Sequence, residues 1–358
     1  MQNAERRDIN ETNQLCTLHS AWCGSQQDNT VKVAGSIRMG VLFCLIAALL
    51  YSCANICYKE LGLLNIDVRW TLCIKEMICV TCVSSAILYL AVRRRYVWPK
   101  WRWVAFLFIG GFLCEYIGAR LHLWTIGTIG LVVSIPLIQA SNMVCSAGIG
   151  HAFLGERVGK RCRVAMVVML LAIGCLFFGP HHHDVGRLTQ QLGGNALFLG
   201  VIGAVVAGVA YAIYIVFLRR SSNSRQMPIS FIAAEVTGIG AMIFGFEILR
   251  DHGFQISAFW QDVPPRAWLL VGVAGLMNMV GFLFQITGLR YTVVVRAQMI
   301  SVSQIVIGTM FGVLIYSETT NAMIWLGVTL AVLGIVIVST PNKKELTHAD
   351  SMRELFQQ

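Results

Sequence analysis

The sequence predicts an all-α polytopic membrane protein, with ten transmembrane helices arranged as two inverted five-helix repeats. Three observations predict it. The 358 residues are 56% hydrophobic and 13% charged, whereas a soluble domain carries about a quarter charged residues. Ten apolar segments reach the length a helix needs to cross the hydrocarbon core, about 18 residues or more. The polar-striped segment LVVSIPLIQASNMVCSAGIGHAFLGE at 131–156 returns 162 residues later as VVVRAQMISVSQIVIGTMFGVLIYSE.

Taken in order, residues 1–37 are polar and are expected to form a cytoplasmic tail. No apolar core near the start marks a cleaved signal peptide. Helices are expected at 39–58, 71–92, 103–123, 131–153 and 162–179. The hydrophilic stretch HHHDVGRLTQQLGG at 181–194 links them to a second set at 195–218, 228–249, 266–288, 293–315 and 321–339. Pro264 and Pro265 precede the eighth segment, where proline is tolerated. The first repeat would span 38–180 and the second 195–340, with a polar cytoplasmic tail at 341–358. Cysteines sit mostly in or beside these segments as small apolar residues. The pair Cys79 and Cys82 has CxxC spacing but no second pair or histidine nearby to complete a metal site.

Lysine and arginine set the orientation. Outside the apolar segments, one side of the membrane carries twenty and the other five. The rich side is cytoplasmic by the positive-inside rule, and it includes both termini. The net charge of +10 is therefore a topology signal in short loops rather than a nucleic-acid surface. A plasma-membrane location follows, the bacterial inner membrane if the source is bacterial.

An odd number of helices per half makes the second half enter from the opposite side. At the offset of 162, Gln139 corresponds to Ser301, Asn142 to Gln304, Ser146 to Gly308 and Glu156 to Glu318. Ala165 and Ala172 correspond to Gly327 and Gly334. Small residues seven apart suit a close helix contact. The closing pair of segments in each half resembles that of EamA-type proteins of the drug/metabolite transporter superfamily. Leu289-Arg290-Tyr291-Thr292 and Ser317-Glu318 carry the resemblance, which extends over about 38–340. Trp124–Gly130 departs from the family's usual turn. The resemblance implies ten helices in inverted repeats around a central cavity, lined largely by the third, fourth, eighth and ninth. It does not name the substrate.

A pathway needs polar groups at depth. Gln139 and Asn142 on the fourth helix, with Ser301 and Gln304 on the ninth, form two stripes at helical spacing. They are read either as substrate contacts or as interhelical hydrogen bonds, which such side chains make routinely in lipid. Asn142 and Gln304 are expected to face one another. Ionisable residues in a span are costly and usually face a cavity or a partner. Lys75 and Glu76, Glu115, Arg120, His122, Glu235 and Arg296 are the candidates. Glu115 lies nearest mid-depth and is the candidate proton carrier. Lys75 and Arg120 are expected to line one positive vestibule unless Lys75 pairs with Glu76 or Glu115. Arg296 is close enough to the cytoplasmic edge to snorkel. Three consecutive histidines at 181–183 do not converge easily on one ion, so neither a metal nor a cofactor is expected.

The leading function is secondary transport of a small polar metabolite, an amino acid or organic anion, by alternating access and with possible proton coupling. Its partners would be the small molecule and the bilayer. No Walker motif points to ATP, and no zincin spacing or paired carboxylates at the interface point to a lipid-modifying enzyme. A sensory or scaffold role is the third alternative. Direction, coupling ion and oligomeric state are left open by the sequence.

Overall fold

The computed structural model of the chain describes residues 38–93, 98–129, 131–155, 159–178, 194–223, 227–259, 263–316 and 322–339. The two tails, most of the linking loop with its three histidines, and Glu156 and Glu318 lie outside the described residues. Residues Gly40–Thr340 form one compact unit. Of the other, Met1–Met39 with Pro341–Gln358, only Arg38 and Met39 are described.

Every regular element among the described residues is helical. Helix α1 covers Arg38–Leu63. A turn with Asn65 at φ 55° leads to Asp67, whose side chain accepts the Arg69 backbone N–H at 2.7 Å and caps α2, Val68–Val92. That bond satisfies one of the orphan donors of a helix start. Next come α3 (Trp101–Phe112), a π-helical segment Leu113–Ala119, and α4 (Arg120–Ile129). Residues 124–129, expected to be a loop, are helical. Helix α5 (Leu131–Leu154) runs through Pro136. Then follow α6 (Lys160–Phe178), α7 (Gly194–Asn223), α8 (Ile229–Asp251) and α9 (Pro265–Tyr291). The last helices are α10 (Val294–Ser301), α11 (Ser303–Tyr316) and α12 (Ala322–Ser339). Pro228 and Pro264 stand at the N-caps of α8 and α9, where no helical N–H is lost.

Ten transmembrane helices in two five-helix repeats are not what the structure shows. Among the described residues six helices are long and apolar enough to cross a membrane: Arg38–Leu63, Val68–Val92, Trp101–Ile126, Phe198–Ser222, Ile229–Asp251 and Pro265–Tyr291. Two shorter apolar helices are Val294–Gly308 and Ala322–Ile337. The expected fourth, fifth, ninth and tenth spans are not among these six. Helix α5 carries Gln139, Ser141, Asn142 and Ser146, and α6 opens on Lys160, Arg161 and Arg163. The ninth segment divides at Val302 into α10 and α11. The tenth is helix α12, Ala322–Ser339. A run of apolar letters does not register where a helix divides. The five-plus-five division rested on the count of ten and falls with it. The all-α, polytopic membrane character stands.

Polarity is turned inside out relative to a soluble fold. Leu88, Phe153, Phe198 and Leu269 are 65%, 71%, 65% and 69% exposed, while Glu76 and Gln298 are 2% exposed. Lipid accepts the first group and penalises the second. Helices α2 and α8, α5 and α7, and α6 and α12 make the most extensive packings, with α9 also lying against α2. Ala165 and Ala172 are fully buried and Gly334 meets Met169, so the small residues singled out in the sequence do serve a close contact between α6 and α12. In lipid such contacts draw on dispersion and shape rather than on expulsion of water.

Candidate functional site

Lys75 and Glu76 enter the core together on α2. Consecutive residues of a helix do not share a face, but both stems are long enough for Lys75 Nζ to reach Glu76 Oε1 at 2.5 Å. Both side chains are buried, 11% and 2% exposed. Across from them, the π-helical segment presents Glu115, 6% exposed, with Cys114 Sγ at 3.8 Å from its Oε1. π-Turns are rare and cluster at functional sites.

Helix α8 lets the two carboxylates approach. A Cβ added at Gly240 would lie 2.9 Å from Glu115 Oε2 and 2.9 Å from the Cγ of Glu76. Only a residue without a side chain leaves room for both. Lys75, Glu76 and Glu115 lie within electrostatic reach of one another and of the hydroxyls of Tyr58 on α1 and Tyr211 on α7, and the two carboxylates within reach of that of Tyr214. Tyr211 shares a 3.1 Å hydrogen bond with His122 Nδ1, and Tyr51 donates to Gln285 Oε1 at 2.8 Å. Several buried polar atoms are left over. Glu76 Oε2, Glu115 Oε2, His122 Nε2 and the hydroxyls of Tyr58 and Tyr214 have no hydrogen-bond partner among the described residues. Buried polar groups are normally satisfied, and each exception calls for an account.

The remaining candidates are dispersed. Arg120 pairs with Glu247 of α8 and stands 5.0 Å from the centre of the Tyr116 ring. Glu235 is half-buried, and neither carboxyl oxygen has a partner among the described residues. Arg296 is 4% exposed in the first turn of α10, buried rather than extended to an edge. Ser301 donates to its own helix at Ala297 O, 3.0 Å, and Gln139 is half-buried. The backbone oxygen of Gln304 accepts from Ser52 at 3.2 Å.

Asn142 does not pair with Gln304. Its Nδ2 donates to Gln298 Oε1 at 2.9 Å, joining α5 to α10. Removing Asn142 would leave a buried acceptor without its donor, a loss of about 1–3 kcal/mol. Asn142→Ala is therefore expected to unfold earlier in a denaturant titration, while an Asn142→Leu/Gln298→Leu double variant recovers most of the loss. Equal loss in single and double variants would show that the bond is not what holds the contact.

Sequence reasoning missed Tyr58, Tyr211, Tyr214, Gly240, Glu247 and Gln298. A signal existed for two of them, because Tyr211 and Tyr214 lie at i, i+3 in the middle of an apolar run. For Gly240 none existed, since a glycine in such a helix looks the same whether it faces lipid or a carboxylate. The cluster also draws on α1, α2, α7 and α8 more than on the fourth and ninth segments that the resemblance pointed to.

Residues 198–340 match the EamA-like transporter family, and membrane transport is the general function that goes with that match. The matched stretch contains Tyr211, Tyr214 and Gly240, while Lys75, Glu76 and Glu115 precede it. No curated protein matches the chain. A crystal structure of a protein aligns with 84% of this chain and 96% of its own, at 14% identity and a TM-score of 0.59, a likeness of fold alone.

Proposed function

We propose that this chain, with an EamA-like transporter match over 198–340, is a secondary active transporter of the plasma membrane with both termini cytoplasmic. It moves a small polar metabolite by alternating access, and Glu115 carries the coupling proton. The observation that carries the reading is the buried Lys75–Glu76–Glu115 cluster with its unpartnered carboxylate oxygens. A structural charge network satisfies its members, because a buried charge without a partner is expensive. A transport site must instead leave groups free to exchange one partner for another.

Glu115 is suited to the proton. It is 6% exposed, it approaches Glu76 across Gly240, and its Oε2 has no hydrogen-bond partner among the described residues. A buried carboxylate with a free oxygen can take up or release a proton as its surroundings change. The π-helical segment that holds Glu115, the break at Val302 and Pro136 in α5 supply places where helices bend during the change of access.

A thermal-shift screen of amino acids, organic acids, sugars and nucleosides would identify a ligand for proteoliposome assays. In Glu115→Gln, accumulation driven by a pH gradient is expected to vanish while exchange of labelled for unlabelled ligand persists. Undiminished pH-driven accumulation in that variant would remove Glu115 from the mechanism.

A further inference from the structure

The stretch WPKWRW at 98–103 interleaves tryptophans with cations. Trp98 and Trp101 are 66% and 78% exposed, with Lys100 and Arg102 exposed beside them. Tryptophan concentrates at the level where a membrane meets water. Helix α3 fixes that level here. Trp101, Ala105, Phe108 and Phe112 recur at the spacing of one helix face, and all four are exposed. Trp101 thus heads a lipid-facing stripe at the first residue of the span Trp101–Ile126. The last turn of α2 repeats the pattern. Leu88, Tyr89 and Val92 are exposed, and the guanidinium of exposed Arg93 lies 5.0 Å from the centre of the Tyr89 ring. The chain from Arg93 to Trp98 can span at most about 18 Å.

These cations lack counter-ions. No aspartate or glutamate occurs between Glu76 and Glu115. Of the helices packed on α3, α7 contains no acid, and both carboxyl oxygens of Glu235, the first acid of α8, are without a partner among the described residues. Arg93, Lys100 and Arg102 form no ion pair among the described residues. A second exposed basic turn, Lys160, Arg161 and Arg163 at the start of α6, differs. Glu156 stands four residues before it in sequence, and α6 carries no tryptophan or tyrosine.

We propose that Trp98, Lys100, Trp101 and Arg102, flanked by Tyr89 and Arg93, form a binding site for an anionic phospholipid of the surrounding bilayer. The headgroup phosphate meets the cations, whose N–H donors suit phosphate oxygens. The indoles lie at the glycerol level, where a ring with one apolar and one polar side is best placed. An acyl chain runs along Ala105, Phe108 and Phe112. A zwitterionic lipid brings its own ammonium beside the phosphate and gains less from three unpaired cations. The site needs only that the chain spans a membrane and does not rest on the transporter reading.

Intact-protein mass spectrometry of the full chain in detergent counts bound lipid. Dioleoylphosphatidylglycerol and dioleoylphosphatidylcholine share their acyl chains and differ in headgroup charge. The first is expected to bind about tenfold or more tightly than the second. Arg93→Gln/Lys100→Gln/Arg102→Gln is expected to lose about tenfold or more in phosphatidylglycerol affinity, since each basic residue near an anionic surface is worth roughly fivefold. Its affinity for phosphatidylcholine is expected to change little. Lys160→Gln/Arg161→Gln/Arg163→Gln removes the same charge elsewhere and is expected to keep the preference. Trp101→Ala is expected to weaken both lipids severalfold. The altered side chains are exposed, and a melting temperature near that of wild type checks each fold. Arg93→Lys/Arg102→Lys keeps the charge and is expected to retain the preference, which separates lost charge from lost packing. Equal binding of the two lipids, equal loss in the two triple variants (the mark of general attraction to a basic chain), or binding indifferent to the first triple variant and to Trp101→Ala would overturn the proposal.

Discussion

Lys75→Met is expected to destabilise the protein by about 3–5 kcal/mol, the cost of leaving buried charge without its counter-ion. Methionine matches the length of the lysine stem, so the volume is nearly kept and the loss reports on charge. The wild-type bridge to Glu76 is 2.5 Å long, and Glu115 lies within the field of the same ammonium. Without Lys75, two carboxylates share a dry site with no cation beside them. Unfolding by SDS in mixed micelles measures the loss. Lys75→Met/Glu76→Gln is expected to recover much of it, since one of the two stranded charges is gone, giving a coupling of about 1–3 kcal/mol in the double-mutant cycle. A single variant that unfolds within about 1 kcal/mol of wild type would mean that water reaches the cluster and solvates it, because only screened pairs are worth so little.

Gly208→Ala is expected to cost about 3 kcal/mol, at the upper end of what overpacking a core costs. Gly208 lies where α7 crosses α5. An added Cβ would stand 2.5 Å from Ile138 O and 3.0 Å from the backbone nitrogen of Asn142. These are main-chain atoms inside a helix, so no side-chain rotation relieves the clash and the two helices must part. In lipid their association depends on close approach, and separation would also displace Asn142 from Gln298. Gly148→Ala on α5 is the control. Nothing lies within 4 Å of its added Cβ, and alanine favours the helix by up to about 1 kcal/mol. If both variants melt alike, the crossing of α5 and α7 is looser than described.

Much of the site was visible as a list of residues and little of it as an arrangement. Lys75, Glu76 and Glu115 stand out in sequence because a charge inside an apolar run is costly and must be accounted for. That argument says a partner exists without saying which. Arg120 illustrates the gap. Its partner Glu247 is 127 residues away on α8, and no local spacing connects them. Asn142 illustrates another. The polar stripe on α5 was legible, but a repeat offset pointed to Gln304, whereas the amide that meets it is Gln298, six residues earlier on α10. About 1.7 helical turns separate those candidates, and the division of the ninth segment at Val302 falls between them.

By itself the sequence determined that the protein is all-α, that it lives in a membrane, and that a small set of ionisable side chains is buried in it. These are consequences of composition and local periodicity, since every backbone polar group in lipid must be satisfied within its own helix. Only the tertiary structure decided where the ninth segment divides, that Lys75 and Arg120 are engaged by Glu76 and Glu247, and that Gly240 brings α8 against Glu76 and Glu115. The physical reason is that helix breaks, pair choice and close approach depend on which faces meet across tens to hundreds of residues, and a one-dimensional pattern carries no record of that meeting.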